Sequence, residues 1–239
     1  MEMKRLAPRK PLAASGFKNF TLSYLGSPRP SYSLNSATQK KIADKFIKRH
    51  KDLAFNEYLK LLDNLYTGKS FDERTFGKHL LLRYPKLRVQ IEPKKLDQWL
   101  SNLAGWCEID SLCQNIFKFE EINKNWAAWR KLLLKFNGDS NVSKRRASLV
   151  LLVGPSRTSS NERVTKLAFK NIEALRHEKD ILITKAISWL LRDLIKNHKT
   201  EVVKYLKKNE ETLPKIAVRE VKTKLLTGKK TIRTIKTHH

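Results

Sequence analysis

Downstream of Asn35 the apolar residues of this chain recur at intervals of three and four, and no segment alternates apolar and polar residues as a half-buried strand requires. Ile42 and Phe46 begin the pattern, Tyr58, Leu61, Leu62 and Leu65 continue it, and glycine is scarce. Further helices are expected near residues 71–83, 94–104, 106–117, 119–136, 142–153, 160–176, 180–198, 200–208 and 214–226. Short helices joined by short loops suit pairs stacked in series better than a four-helix bundle. The expected fold is all-α, a curved solenoid of paired antiparallel helices over residues 36–226, although no sequence repeat marks its period.

Residues 1–35 hold four of the eight prolines together with Phe17, Phe20, Tyr24 and Tyr32, and read as an irregular basic lead-in that docks without forming core. Residues 227–239 read as a basic tail. Lys4, Arg5, Arg9 and Lys10 are followed by no apolar segment, and no run reaches the ~18 apolar residues of a membrane span. The start therefore reads as a basic arm in preference to an organellar transit peptide. The two cysteines, Cys107 and Cys113, stand six apart with no second pair, which disfavours a disulfide framework or a zinc site and suits a reducing, cytoplasmic interior.

Fifty Lys and Arg against 23 Asp and Glu give a formal charge of +27. Self-repulsion at that level implies a polyanionic partner, nucleic acid first, with ribosome association or a solubilising surface as alternatives. Two helices say how the cations are arranged. Over residues 181–198, Ile183, Ile187, Leu190, Leu191 and Leu194 form one face, and Lys185, Trp189, Arg192 and Lys196 fall opposite. The last helix, opened by Pro214, repeats this with Ala217, Val221 and Leu225 inward and Lys215, Arg219 and Lys222 outward. Side by side, such helices line a basic concave groove. Charged helix faces are also commonly no more than solvated surface.

Trp106 and Asp110, one turn apart, border a face made of Ile109, Leu112, Cys113 and Ile116. That position lets both meet a cleft, while packing for Trp106 and a lysine partner for Asp110 are the structural alternative. Lys144, Arg145 and Arg146 open an apolar helix, where they oppose its dipole and need either a phosphate or a carboxylate partner. Thr67-Gly68-Lys69-Ser70 imitates the end of a phosphate-binding P-loop, but Asp63 stands where its first glycine belongs. His50, His79, His177 and His198 are scattered and His238 and His239 end the tail, so neither a metal site nor a nucleophile triad is expected, and no cofactor.

Four blocks carry a family resemblance: Gly105-Trp106-Cys107-Glu108-Ile109-Asp110-Ser111, Lys144-Arg145-Arg146-Ala147-Ser148, Ile183-Thr184-Lys185-Ala186-Ile187-Ser188-Trp189-Leu190-Leu191-Arg192 and Ile216-Ala217-Val218-Arg219-Glu220. In this order, across about 200 residues from Tyr24-Leu25-Gly26-Ser27 to Thr227-Gly228-Lys229-Lys230, the chain resembles the alkylpurine DNA glycosylases built of HEAT-like repeats, the AlkD-type DNA alkylation repair proteins. The resemblance implies that Trp106 and Trp189 frame the lesion-bearing sugar, that Asp110 acts at its anomeric carbon, and that Arg146 holds the DNA backbone. It also implies contact with the sugar-phosphate backbone of duplex DNA while the base stays largely stacked, by a monomer without cofactor. Cys107 and Ser143 replace tryptophans common in relatives and Ser188 a common glycine, which bears on groove wall and substrate range. Arg145 adjoins Arg146, so either can be the phosphate ligand.

The residue types suit the chemistry. Alkylation at purine N3 or N7 makes the base cationic and its glycosidic bond labile, so what remains is to stabilise positive charge on deoxyribose. A fixed carboxylate does that while orienting water, and each indole face adds ~0.5–2 kcal/mol for a cationic sugar. Asp110 is then stabiliser and water-positioner, and with no Schiff-base lysine evident, base release without strand cleavage is expected. The expectations to be tested are thus a monofunctional 3- and 7-alkylpurine DNA glycosylase, a non-catalytic relative that binds damaged or branched nucleic acid, and an unrelated RNA-binding or scaffold repeat protein.

Overall fold

The computed structural model describes Met3 and residues 22–231, and all regular structure among the described residues is helical. Most of the basic arm, with Phe17 and Phe20, and the end of the tail, with His238 and His239, lie outside the described residues. The chain divides into two compact units. The first runs to Ile116 and adds Ala127–Leu132; the second holds Phe117–Trp126 and everything from Leu133 on.

The first unit contains α1 (Ser36–Arg49), α2 (Phe55–Tyr66), α3 (Phe71–Arg83), α4 (Pro85–Arg88), α5 (Lys95–Leu100) and α6 (Gly105–Cys113). At its centre α3 packs on α1, α2, α4 and α6. It begins where the sequence signals a start: Ser70 Oγ accepts from the Glu73 amide and Glu73 Oε2 from the Ser70 amide, closing a capping box. Thr67-Gly68-Lys69-Ser70 is thus a helix-to-helix connection, as its missing first glycine suggests. Phe71, Phe76, Leu80 and Leu81 are buried with two charged residues, Asp72 and Arg74. Each charge is satisfied, as burial demands. Asp72 accepts from Ser31 Oγ at 2.6 Å and from the Tyr32 and Leu34 amides at 2.5 and 3.2 Å. Arg74 donates to the carbonyls of Tyr66, Gly68 and Asn102. Asp72 thereby ties down the proline-containing segment before α1, and Leu25 and Leu34 from that segment are buried.

The second unit contains α7 (Phe119–Lys124), the end of α8 (Trp126–Asn137), α9 (Val142–Thr158), α10 (Glu162–Leu175), α11 (Ile181–Asn209) and α12 (Lys215–Thr227). Here α9 is the buried centre, packed on α10 and α11, and α11 packs in turn on α12. Contacts to the neighbouring helix and to the next but one are those of stacked helix pairs. Ile183, Ile187, Leu190, Leu191 and Leu194 are all fully buried, so the aliphatic stripe lies where the period puts it. Polar bonds fix the stacking: Asn137 Nδ2 donates to Ser148 Oγ and the Asn171 carbonyl, both at 3.1 Å, and Asn171 Nδ2 to the Ser148 carbonyl at 3.0 Å. Arg157 grips Asp193 through Nε at 2.7 Å and Nη2 at 3.2 Å.

Several boundaries differ from the sequence expectation, and the helices expected at 94–104 and 106–117 end at Leu100 and Cys113. Helix 119–136 is two helices, broken at Asn125 (φ −122°, ψ 46°). Helix 142–153 runs on through Gly154 and Pro155 to Thr158, because the proline falls in the last turn and Asn197 Nδ2 donates to the Ser156 and Arg157 carbonyls. The helices expected at 180–198 and 200–208 are two limbs of α11, separated by non-helical backbone at His198 (φ −139°, ψ 44°). No helix among the described residues is long and apolar enough to cross a membrane. Leu190→Ala, removing a fully buried side chain from the α11 stripe, is expected to lower the unfolding free energy by about 2–5 kcal/mol in urea titration; a loss under about 1 kcal/mol would contradict this packing.

Candidate functional site

Two glycines determine how α6 begins. Gly105, its first residue, has φ +69°, and a Cβ there would lie 2.3 Å from the Leu25 carbonyl oxygen. Gly26 (φ +71°) faces it, with an added Cβ 3.0 Å from Gly105 Cα. Only residues without side chains allow two backbones to cross this closely. Residues 24–26 therefore lie across the start of α6, and Trp106 Nε1 donates to the Tyr24 carbonyl at 2.6 Å. The Tyr24 ring stands edge-on to the Trp106 indole, with centroids 5.7 Å apart at 88°. The indole N–H is thus committed, and the ring plane is set by a neighbour in an arrangement that aromatic quadrupoles favour.

Below this crossing sits Glu108, fully buried. Its carboxylate accepts from the Ala104 amide at 3.0 Å, from Ser27 Oγ, and from Arg29 Nη1 at 3.0 and 3.1 Å. Arg29 Nη2 continues to the Asn102 carbonyl at 2.7 Å. A buried carboxylate is tolerated when a charge and several donors replace its water, and here they also serve an α6 N-terminus that has no side-chain cap of its own. Glu108 was not among the residues expected in the site; the one signal in the sequence is a charged residue beside apolar Ile109.

Asp110 lies one turn beyond Trp106, 7% exposed, beside buried Ile109, Leu112, Cys113 and Ile116. Of the two residues that spacing puts at the border of this face, Asp110 is buried and Trp106 half-buried. Between them, burial pushes the Cys107 thiol up to about 11, Lys78 opposing and Asp110 and Glu108 adding to the shift. The acidic charge of α6 is therefore felt in a poorly hydrated setting.

The remaining candidates belong to the second unit. Trp189 is half-buried on α11, and Lys185, a turn earlier, is exposed. Arg192 Nε lies 3.4 Å from Glu220 Oε2, which also accepts from Ser188 Oγ at 2.6 Å, and burial lowers the Arg192 pKa against the pull of Glu220 and Asp193. Buried Glu220 joins α12 to α11 and was also missed. Arg219 is exposed; Lys222 is exposed and paired with Glu210. At the start of α9 two of the cations stand beside carboxylates: Lys144 Nζ lies 3.5 Å from Asp139, and Arg145 Nε 2.7 Å from Glu178. Arg145 Nη1 also donates to the Asp139 and Ser140 carbonyls. Arg146, 4% exposed, donates to the Leu182 carbonyl at 2.5 Å and so joins α9 to the start of α11. Among the described residues no group of three His, Cys, Asp or Glu could hold a metal ion.

The sequence matches the family model described as DNA alkylation repair enzyme over residues 9–225. No curated protein matches it significantly. Among solved structures, a predicted DNA alkylation repair enzyme from Enterococcus faecalis shares the fold, with TM-score 0.71 at 19% identity over 91% of this chain and 96% of that one.

Two outcomes follow from the geometry of α6. Gly105→Ala meets both a left-handed φ and the Leu25 carbonyl, and is expected to lower stability by at least about 1–3 kcal/mol in thermal unfolding; an unchanged midpoint would contradict the crossing. With its thiol raised to about 11, Cys107 stays protonated at neutral pH, so its alkylation by iodoacetamide in the folded protein should rise as pH approaches 11. Rapid alkylation at pH 7 would contradict that burial.

Proposed function

The chain belongs to the DNA alkylation repair enzyme family, whose substrate is DNA, and from that premise we propose that it is a monofunctional DNA glycosylase. It hydrolyses the N-glycosidic bond of 3- and 7-alkylated purines in double-stranded DNA without flipping the base. The observation that carries this reading is the α6 arrangement: a largely buried carboxylate, Asp110, one turn from an indole whose N–H and plane are already fixed.

The cationic base is a ready leaving group, and no acid is needed to expel it. As the bond lengthens, positive charge grows at the anomeric carbon and its ring oxygen. Asp110 stabilises that charge and orients the water that attacks the anomeric carbon and then loses its proton to solvent; the base leaves with the bonding electron pair and becomes neutral. The Trp106 face adds cation–π attraction, and the family resemblance assigns Trp189 the same role. The Cys107 thiol, held protonated, has no part in attack. Because enzyme contacts are to sugar and phosphate, selection comes from the lability of the lesion.

In this proposal exposed Lys185 and Arg219 supply most of the sequence-independent attraction. Arg146 holds the backbone as a guanidinium preset by the Leu182 carbonyl, and Lys144, Arg145, Arg192 and Lys222 add to the basic groove. The helix pairs are proposed as HEAT-like repeats, and the enzyme as a monomer acting on the DNA of the cytoplasm or nucleoid.

Asp110→Asn is expected to slow release of 7-methylguanine from methylated duplex DNA by roughly 10²–10³-fold while leaving DNA affinity nearly intact. Equal rates in variant and parent would replace catalysis with the reading of a non-catalytic protein that binds damaged or branched DNA. Lys185→Ala is expected to weaken duplex binding and to reduce the slope of log K against log salt by about 0.9; an unchanged slope would remove Lys185 from the phosphate contacts.

A further inference from the structure

Within the second unit a cleft of about 620 Å³ opens between α10 and the limb of α11 beyond His198. It is of the size that holds small molecules, about 300–1,000 Å³. One wall is aromatic: Phe169 on α10 and Tyr205 on α11 lie against each other, with ring centroids 5.0 Å apart at 42°. The Tyr205 hydroxyl donates to Glu173 Oε2 at 2.7 Å, which fixes its ring. Deeper in, buried His198 shares a 2.8 Å hydrogen bond with Thr165 Oγ1, at the same residue where the helical path of α11 is interrupted. At the rim Lys166 is paired with Glu162 at 2.8 Å, whereas Lys204 and Lys208 stand exposed, one turn apart on α11.

We propose that this cleft binds a single nucleotide, its base against Phe169 and Tyr205 and its phosphate between Lys204 and Lys208. An aromatic wall alone would suit any planar ring, and a lysine pair alone any anion. Together they fit a flat base joined to a group of nearly two negative charges, as a phosphate monoester is near neutral pH. Thr165 and Glu201, also in the lining, offer hydrogen-bonding atoms to a base edge. Tyr205 stays neutral, since burial and Glu173 raise its pKa, so its ring carries no charge against an anionic ligand. No residue of this cleft takes part in the base release proposed above, and the inference does not depend on that activity. The nucleotide comes either from free mononucleotide or from an unstacked position in a single strand.

Calorimetric titration of the full-length protein with adenosine monophosphate tests this, with adenosine, inorganic phosphate and a five-nucleotide deoxyadenylate strand as parallel ligands. Adenosine monophosphate should saturate the protein and bind at least about tenfold more tightly than adenosine or phosphate. Tyr205→Leu and the double substitution Lys204→Gln with Lys208→Gln should each weaken it by about tenfold, while the double variant keeps the parent's melting temperature and its rate of 7-methylguanine release. A strand that displaces the mononucleotide, and loses affinity in the same variants, identifies the single-strand source; a strand that does not identifies the free nucleotide. Affinity no greater than that of inorganic phosphate, or unchanged in the lysine double variant, overturns the proposal.

Discussion

The close crossing of Gly26 and Gly105 is the constraint from which the candidate site follows. Because neither residue has a side chain, residues 24–26 can lie directly on the first turn of α6, where the Tyr24 carbonyl takes the Trp106 indole N–H. Buried Glu108 holds the same junction from beneath through Ser27, Arg29 and the Ala104 amide. Helix, indole and the Asp110 carboxylate one turn on are then positioned together, before any ligand arrives. Preorganisation of this kind lets a single carboxylate lower a barrier, since no reorganisation is left to do at the moment of reaction.

A formal charge of +27 does not mean that every cation faces a polyanion. In the second unit several basic residues are committed to the fold: Arg145 to Glu178, Arg157 to Asp193, and Arg146 to the Leu182 carbonyl. Exposed cations such as Lys185 and Arg219 are of a different kind, with their side chains in water and their charge available at long range. In the proposed reading, affinity for a phosphate backbone depends on the second group and precise geometry on the first.

Local pattern in the sequence was enough for much of this. The limits of α3 and the aliphatic face of α11 follow from period and capping alone, and the spacing of Trp106 and Asp110 put both on one side of a helix. Two separate helices were expected at 180–198 and 200–208, whereas the chain passes between these limbs of α11 with one non-helical residue, His198. What was not legible depends on contacts distant in sequence. Glu108 is an internal anchor because Ser27 and Arg29, about 80 positions away, fold onto it, and a proline-containing segment has no period to reveal such docking. Phosphate and carboxylate were equally open for the cations that begin α9, and the partner of Arg145, Glu178, comes from 33 residues downstream.

The most direct measurement is chromatography of the bases released when the parent protein is incubated with methylated duplex DNA, beside an unmethylated duplex. The account predicts that alkylated purines appear as free bases, that the strands remain unbroken until the abasic sites are cleaved by alkali, and that the unmethylated duplex releases nothing. Tight binding of methylated DNA with no base released, or strand scission without added alkali, would contradict it.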